Sequence, residues 1–536
     1  MKKYILRHVS VLALASATLA IAPSCTKDLD RLPKYDLNTE SVYKDVAGYR
    51  AVAAKAYAGF ALTGSQGPSG TNTGDIKGID EGTSDYIRQL WSAQELTTDE
   101  AVIQWGDPGV QDWHLMNWTS SGILIRGLYS RILYEVTVCN SFLAEATDAK
   151  LSDRNISGAD AATVRALRAE VRFLRALAYY HALDLYGNIP FATETDEIGG
   201  VTPPKQIGRA ALFTYIENEL KAIDADLVAP RQNEYARADK AAAWALLAKL
   251  YLNAQVYTGT ARYTDCATYA QKVIDAGYTL TPQYRNLFRT DNNTSTEIIF
   301  PIAFDGKRTQ GYGGTTFLVH AAVSGTADAN WNPARYGIDG GWGGIRATAN
   351  IFQLFPDTAA DNRGKFVTGG QTLGIASLTN FNNGYVPIKF KNVSSTGTPG
   401  QDPTFVDTDF PMFRLADMYL TYAEAALRGG GDQNLALTYV NRVRTRAFKN
   451  TTAGNISASA LTLDFILNER ARELFWEGTR RTDLIRYNRF TTAAYLWPWK
   501  GGAANGTSVP DYRNLFPLPV ADLSVNPNLV QNPGYN

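Results

Sequence analysis

Residues 161–190 read AATVRALRAEVRFLRALAYYHALDLYGNIP. Leu167, Val171, Leu174, Ala178, Ala182 and Leu185 recur at helical spacing, so one side of a long helix is apolar. The residues are mostly Ala, Leu, Arg and Glu, all strong helix formers. Gly187 ends the helix and Pro190 bars its restart. Arg165, Arg168, Arg172 and Arg175 form a second stripe, expected to meet carboxylates on neighbouring elements rather than a bound anion. Small residues at 166, 169, 176 and 178 allow close packing, which suits a stack of helix pairs.

The rest of the chain supplies such pairs. Helical patterns cover Ser41–Leu62, Gly122–Glu145, Leu212–Leu227, Ala238–Ala254, Tyr263–Ala276, Phe413–Arg428, Gln433–Thr445 and Leu461–Tyr487. The spacing A-x-x-A-x-x-x-L-Y-L-N-A within 238–254 is of the kind that packs tetratricopeptide helices. Between about 280 and 410 the texture changes. Glycines cluster, and short β-like runs appear at 297–304 and 385–390. Gly64–Gly82 and Tyr495–Asn536 read as loop. The expectation is a mainly α fold, a tetratricopeptide-like helix-pair scaffold with a loop-rich insertion carrying short β-strands. Long loops on a rigid scaffold are where binding residues collect.

Composition narrows the function. Lys plus Arg and Asp plus Glu are each 52 of 536 residues, so no basic excess points to nucleic acid. Aromatic residues make up 11 %, with 29 Tyr and 10 Trp, which suits ligands with flat apolar faces such as sugar rings. Four His and three Cys, with no CxxC pair, give no zinc-ligand spacing. No cofactor is expected. The run TDNNTSTE at 290–297 is oxygen-rich enough to hold calcium but lacks EF-hand spacing. Asp80–Glu81 and Asp99–Glu100 are adjacent carboxylates, but adjacency does not set the separation a glycosidase needs.

The N-terminus reads as an address. Lys2, Lys3 and Arg7 precede an apolar run, Val9 to Ala22, too short to span a bilayer comfortably. Cys25 follows small residues, as in a lipoprotein signal, although the usual leucine three residues before it is missing. The reading is a signal peptide at 1–24, lipidated Cys25 as the mature N-terminus, a tether at 25–40, and one binding domain at 41–536.

Four blocks then carry a family resemblance: LRAEVRFLRALAYYHALDLYGNIPF, RADKAAAWALLAKLYLNAQVYTG, FRLADMYLTYAEAALRGGG, and ERARELFWEGTRRTDLIRYNRFTTAAYLWPWKGGAANGTSV. Together they resemble the SusD/RagB family of lipid-anchored glycan-binding proteins on the surface of Bacteroidetes. The loops GIDEG at 78–82, TTDE at 97–100, YGGTTFLV at 312–319 and GGW at 340–342 extend the likeness to its starch-binding member. Asp28 and Asp30 resemble the surface-export signals of such lipoproteins.

The resemblance implies a non-enzymatic protein that captures an α-glucan at the outer membrane and passes it to a SusC-like TonB-dependent transporter. It implies an arc of Trp105, Tyr312 and Trp342, with Arg88 donating to sugar hydroxyls. It also shows a departure: a second tryptophan near Trp105 is replaced by Ile103, and Gly106-Asp107-Pro108 lacks a sugar-contacting asparagine. The alternatives are a different glycan on the same scaffold, or a surface glycoside hydrolase. Trp497 and Trp499 are expected to pack structurally.

Overall fold

The computed structural model describes residues 39–535 apart from 66, 68–73, 198, 201 and 327–329. The signal peptide, Cys25 and all but the last two residues of the tether lie outside the described residues.

The scaffold is built on the helix Gly158–Leu185 (α3), whose buried residues include Leu167, Val171, Leu174, Ala178, Ala182 and Leu185, the six that set its apolar face. Burying each leucine contributes about 1.5–3 kcal/mol. It packs against Val46–Ala58 (α1), Ile123–Glu145 (α2) and Arg209–Ala222 (α4). Its arginines meet carboxylates. Arg165 and Arg168 pair with Asp148, Arg172 with Glu219, and the buried Arg175 with Glu194 and Glu219. Lys240–Leu252 (α5) is buried on nearly every side, as alanine and leucine all round a helix require. It packs on Tyr263–Ile274 (α6), which in turn packs on Leu415–Ala425 (α7), and α7 on Gln433–Ala447 (α8).

Three helices differ from the sequence pattern. The first helix does not run unbroken from Ser41: a short turn at Thr39–Val42 precedes α1, which restarts where Asp45 accepts from Gly48 N at 3.0 Å. Phe413 and Arg414 are strand, not helix. Ile298–Ile302 pairs antiparallel with Phe410–Arg414, and Arg414 stays extended before α7 begins. Leu461–Tyr487 is two helices, Leu463–Leu474 (α9) and Arg480–Arg486 (α10), because Trp476 and Gly478 both take positive φ.

The pairing of 298–302 with 410–414 closes the base of the loop-rich excursion. Beneath it lies a buried ion network. Arg414 donates to Glu297, Glu473 and Glu477 at 2.6–2.9 Å, and Arg446 pairs with Glu297 and Glu473. From the excursion itself, Arg363 reaches Asp361, Glu469 and Glu473, and Lys389 reaches Glu477. These side chains tie the irregular loops to α9. Charges this deep are tolerated only when paired and hydrogen-bonded.

Candidate functional site

The excursion and the loops beside it bring Arg88, Trp105, Tyr312 and Trp342 to one face. Trp105 follows the two-residue strand Val102–Ile103, which pairs with Ile345–Arg346. Gln104 N donates to Gly344 O at 2.9 Å, and Gln111 Nε2 donates to Ile103 O and Trp105 O at 2.9 and 2.8 Å. A Cβ on Gly344 would lie 2.8 Å from the Trp105 ring, so glycine is what lets the indole lie flat on this backbone. Trp105 Nε1 donates to Trp342 O at 3.3 Å, so its ring is fixed and its polar edge engaged.

Trp342 is fixed from below. Its N–H donates to His320 O at 2.8 Å, and its ring stacks on His320 at 4.6 Å with an interplanar angle of 22°. His320 closes the helix Gly314–His320, and its Nδ1 bonds Gly340 O at 2.6 Å. Burial holds the His320 imidazole below its usual value, with the Gly340 bond opposing, so the ring is neutral under the indole at neutral pH.

Tyr312 lies next to Trp342 at 6.2 Å and 59°, and Trp105 on the other side at 6.5 Å and 43°. The three rings are thus mutually tilted rather than a flat shelf. Phe405 backs Tyr312 at 5.5 Å and Phe317 backs Trp105 at 5.9 Å. Tyr312 is 38 % exposed, and both indoles are half-buried.

Arg88 lies beside the row, its guanidinium 4.8 Å from the Phe317 ring and 5.5 Å from Trp105. It belongs to the short helix Tyr86–Trp91, capped by Asp85, whose Oδ1 accepts from Arg88 N at 2.8 Å and Gly314 N at 3.2 Å. One carboxylate therefore joins the two helices that carry Arg88 and His320. A Cβ on Gly313 would fall 1.9 Å from the Asp85 carboxyl, so that approach needs glycine. Burial raises the Asp85 carboxyl, with those two N–H bonds opposing. Burial lowers the Arg88 guanidinium, with Asp85, Asp80 and Asp107 opposing. Among the described residues Arg88 makes one side-chain hydrogen bond, to Tyr312 O at 3.5 Å, and its other N–H groups remain able to donate.

Ile103, expected as a change within the arc, is 3 % exposed and packs in the core, so it offers a ligand no surface. Asp99 and Glu100 do not form an open acid–base pair. Asp99 is fully buried in a bidentate bond to Arg480, 2.7 Å on both oxygens, and Glu100 is buried beside Glu95. Trp497 is buried, and Trp499 donates to Ile375 O at 2.8 Å. In the oxygen-rich run, Asp291 accepts from Ser395 N and Oγ at 2.8 and 2.5 Å, and among the described residues no three His, Cys, Asp or Glu side chains gather as metal ligands.

Sequence reasoning missed His320, Phe317 and Phe405. They are ordinary apolar-run residues by pattern, and only their place under the exposed rings marks them.

Two family profiles match the chain. The one described as the SusD family covers residues 251–535, and one described as starch-binding, associating with outer membrane, covers residues 88–252. The starch-binding protein SusD of Bacteroides thetaiotaomicron is 37 % identical over 99 % of both chains. SusD-like protein P25 of Formosa agariphila is 26 % identical over 71 % of this chain and 75 % of its own. Among solved structures, a SusD superfamily protein of B. thetaiotaomicron superposes with a TM-score of 0.69 at 19 % identity, covering 91 % of this chain and 100 % of its own. Surface glycan-binding protein A of the same organism, in complex with laminarihexaose, gives 0.66 at 19 %, covering 91 % and 99 %. Among the described residues no helix is long and apolar enough to cross a membrane.

Proposed function

The chain belongs to the SusD family, and from that premise we propose that it is a non-catalytic receptor for starch or malto-oligosaccharide at the cell surface. The observation that carries the reading is the row Trp105–Trp342–Tyr312, three rings tilted by 43° and 59° at spacings near a sugar's width. A pyranose has an apolar C–H face. Stacking it on an aromatic removes that face from water, worth about 1–3 kcal/mol per ring by analogy with stacked bases. A stepped row follows a curved chain, as α-linked glucose forms, better than a flat one. In this reading Arg88 donates to hydroxyl groups at the edge of the row. The full-length likeness to a starch-binding protein supports the α-glucan over other glycans.

Lipidated Cys25, freed of residues 1–24, anchors the protein at the outer membrane with its domain on the extracellular side. A SusC-like TonB-dependent transporter receives the captured chain, with this protein closing over it as a lid.

The test is affinity electrophoresis of the protein lacking residues 1–25 in gels containing amylopectin, pullulan, dextran or inulin. The expected result is retardation in amylopectin that is lost in Trp342→Ala. No retardation in any α-glucan removes the starch assignment. Release of reducing sugar from starch by the purified protein would favour the hydrolase alternative.

A further inference from the structure

A second concave region lies apart from the aromatic row, and none of its lining residues belongs to that row. It has two lobes, of about 480 and 450 Å³, which share Tyr235 and Ala303 in their walls. The first lobe has an apolar floor, from Ala53, Ala54 and Ala58 of α1 and from Pro301 and Ile302 of the strand that closes the excursion, and Arg50 and Arg237, both paired with Glu234, also line it. The second is polar. Thr290, Asn293 and Thr398 line it, and none of their side chains hydrogen-bonds among the described residues. Asp407 lies on the same wall, its carboxylate accepting from Gly306 N at 2.7 Å and Gln401 N at 2.6 Å.

Between the lobes stands Tyr235, 48 % exposed. Its hydroxyl donates to the carboxylate of Asp409, which is 4 % exposed and also accepts from Phe304 N at 2.8 Å. An aromatic side chain half open to solvent and fixed at its tip can serve as a platform for a sugar ring. An apolar floor on one side and free hydroxyl and amide groups on the other suit a ligand with one apolar face and a rim of hydroxyls. Asp305, Asp407 and Asp409 in the polar lobe oppose an anionic ligand.

We propose that this groove is a second carbohydrate site, binding a neutral oligosaccharide with one sugar ring on Tyr235. The ligand class rests on the capture reading above; the site does not use the aromatic row. One loop serves both: Phe405 backs Tyr312, and Asp407, two residues on, lines the groove. A polymer held at the row and at the groove dissociates more slowly than one held at either.

The test is ¹⁹F NMR of the protein labelled with 3-fluorotyrosine. Tyr235→Phe and Tyr312→Phe assign the two resonances. Maltoheptaose, laminarihexaose and an oligouronate are the probes, each added to the wild type and to Trp342→Ala. The expected result is a shift of the Tyr235 resonance with a neutral oligosaccharide in both proteins, none with the uronate, and roughly tenfold weaker saturation when Asn293 and Thr398 are both changed to alanine. Those two exposed positions do not touch the core, so their effect is read without loss of folding. If the Tyr312 resonance moves and the Tyr235 resonance does not, the groove proposal falls and the capture reading stands. If the Tyr235 resonance moves alone, the reverse holds. If neither moves with any probe, both fall.

Discussion

The ion network under the excursion and the aromatic row on its surface are built from opposite materials. In the network, Glu473 is fully buried and meets Arg363, Arg414 and Arg446. Every charge has a partner, and the residues of the network come from six separate stretches of chain. In the row, polar groups serve only to fix the rings: Trp105 Nε1 to Trp342 O, Trp342 N to His320 O, His320 Nδ1 to Gly340 O. Each ring is backed on one side, Trp342 by His320, Trp105 by Phe317 and Tyr312 by Phe405, and keeps part of its surface open. Charge in the network holds loops in place, whereas the row offers uncharged rings already held in orientation, with the Arg88 guanidinium beside them. Preorganisation of that kind lowers the entropy cost of binding.

Breaking the network has the largest expected effect. Glu473→Ala leaves three guanidinium groups without their common partner and is expected to cost about 3–5 kcal/mol, read as a fall in the denaturant midpoint. Breaking the row leaves the fold intact. Trp342→Ala is expected to weaken malto-oligosaccharide binding by roughly 10- to 100-fold with little change in unfolding. Ile103→Trp separates surface from core: overpacking a buried strand position is expected to cost about 1–3 kcal/mol without any gain in binding. His320→Ala, which removes the support under Trp342, is expected to cost less than Trp342→Ala, about two- to tenfold in affinity.

Acid sharpens the same contrast. Burial alone would raise the Glu473 carboxyl, but Arg446, Arg414 and Arg363 outweigh it and hold the group at about 2. A depressed carboxylate contributes stability that is present above its unfolded value, near 4.5, and is lost as pH falls through that value toward 2. The row contains no carboxylate, and burial keeps His320 neutral at neutral pH. Thermal stability is therefore expected to decline below about pH 4.5, while glycan affinity stays level from pH 7 to 9. A binding curve that followed a carboxylate in that upper range would break the comparison.

Much of the scaffold was legible because periodicity is local. The apolar spacing in 161–190 placed α3 and its buried face, and the arginine stripe met carboxylates as its pattern implied. The failures were places where distant chain overrides local preference. FPMFR at 410–414 sits beside a strong helix pattern, but pairing with 298–302 and burial of Arg414 among three glutamates hold it extended. The run through Trp476 and Gly478 has no proline, yet two positive φ angles there turn the chain so that Glu477 reaches Arg414 and Lys389. At the site, Arg88, Trp105, Tyr312 and Trp342 came from the family likeness. His320, Phe317, Phe405 and the groove around Tyr235 were not legible, since each depends on which loops meet rather than on any spacing within one.

The central claim, that a preset row of rings captures an α-glucan, is tested most directly by isothermal titration of maltoheptaose into the protein lacking residues 1–25, beside Trp342→Ala with its unfolding midpoint measured in parallel. Saturable binding by the wild type is expected, with a loss of at least tenfold in a variant that unfolds where the wild type does. Equal affinity in the two proteins, with both folded, would contradict it.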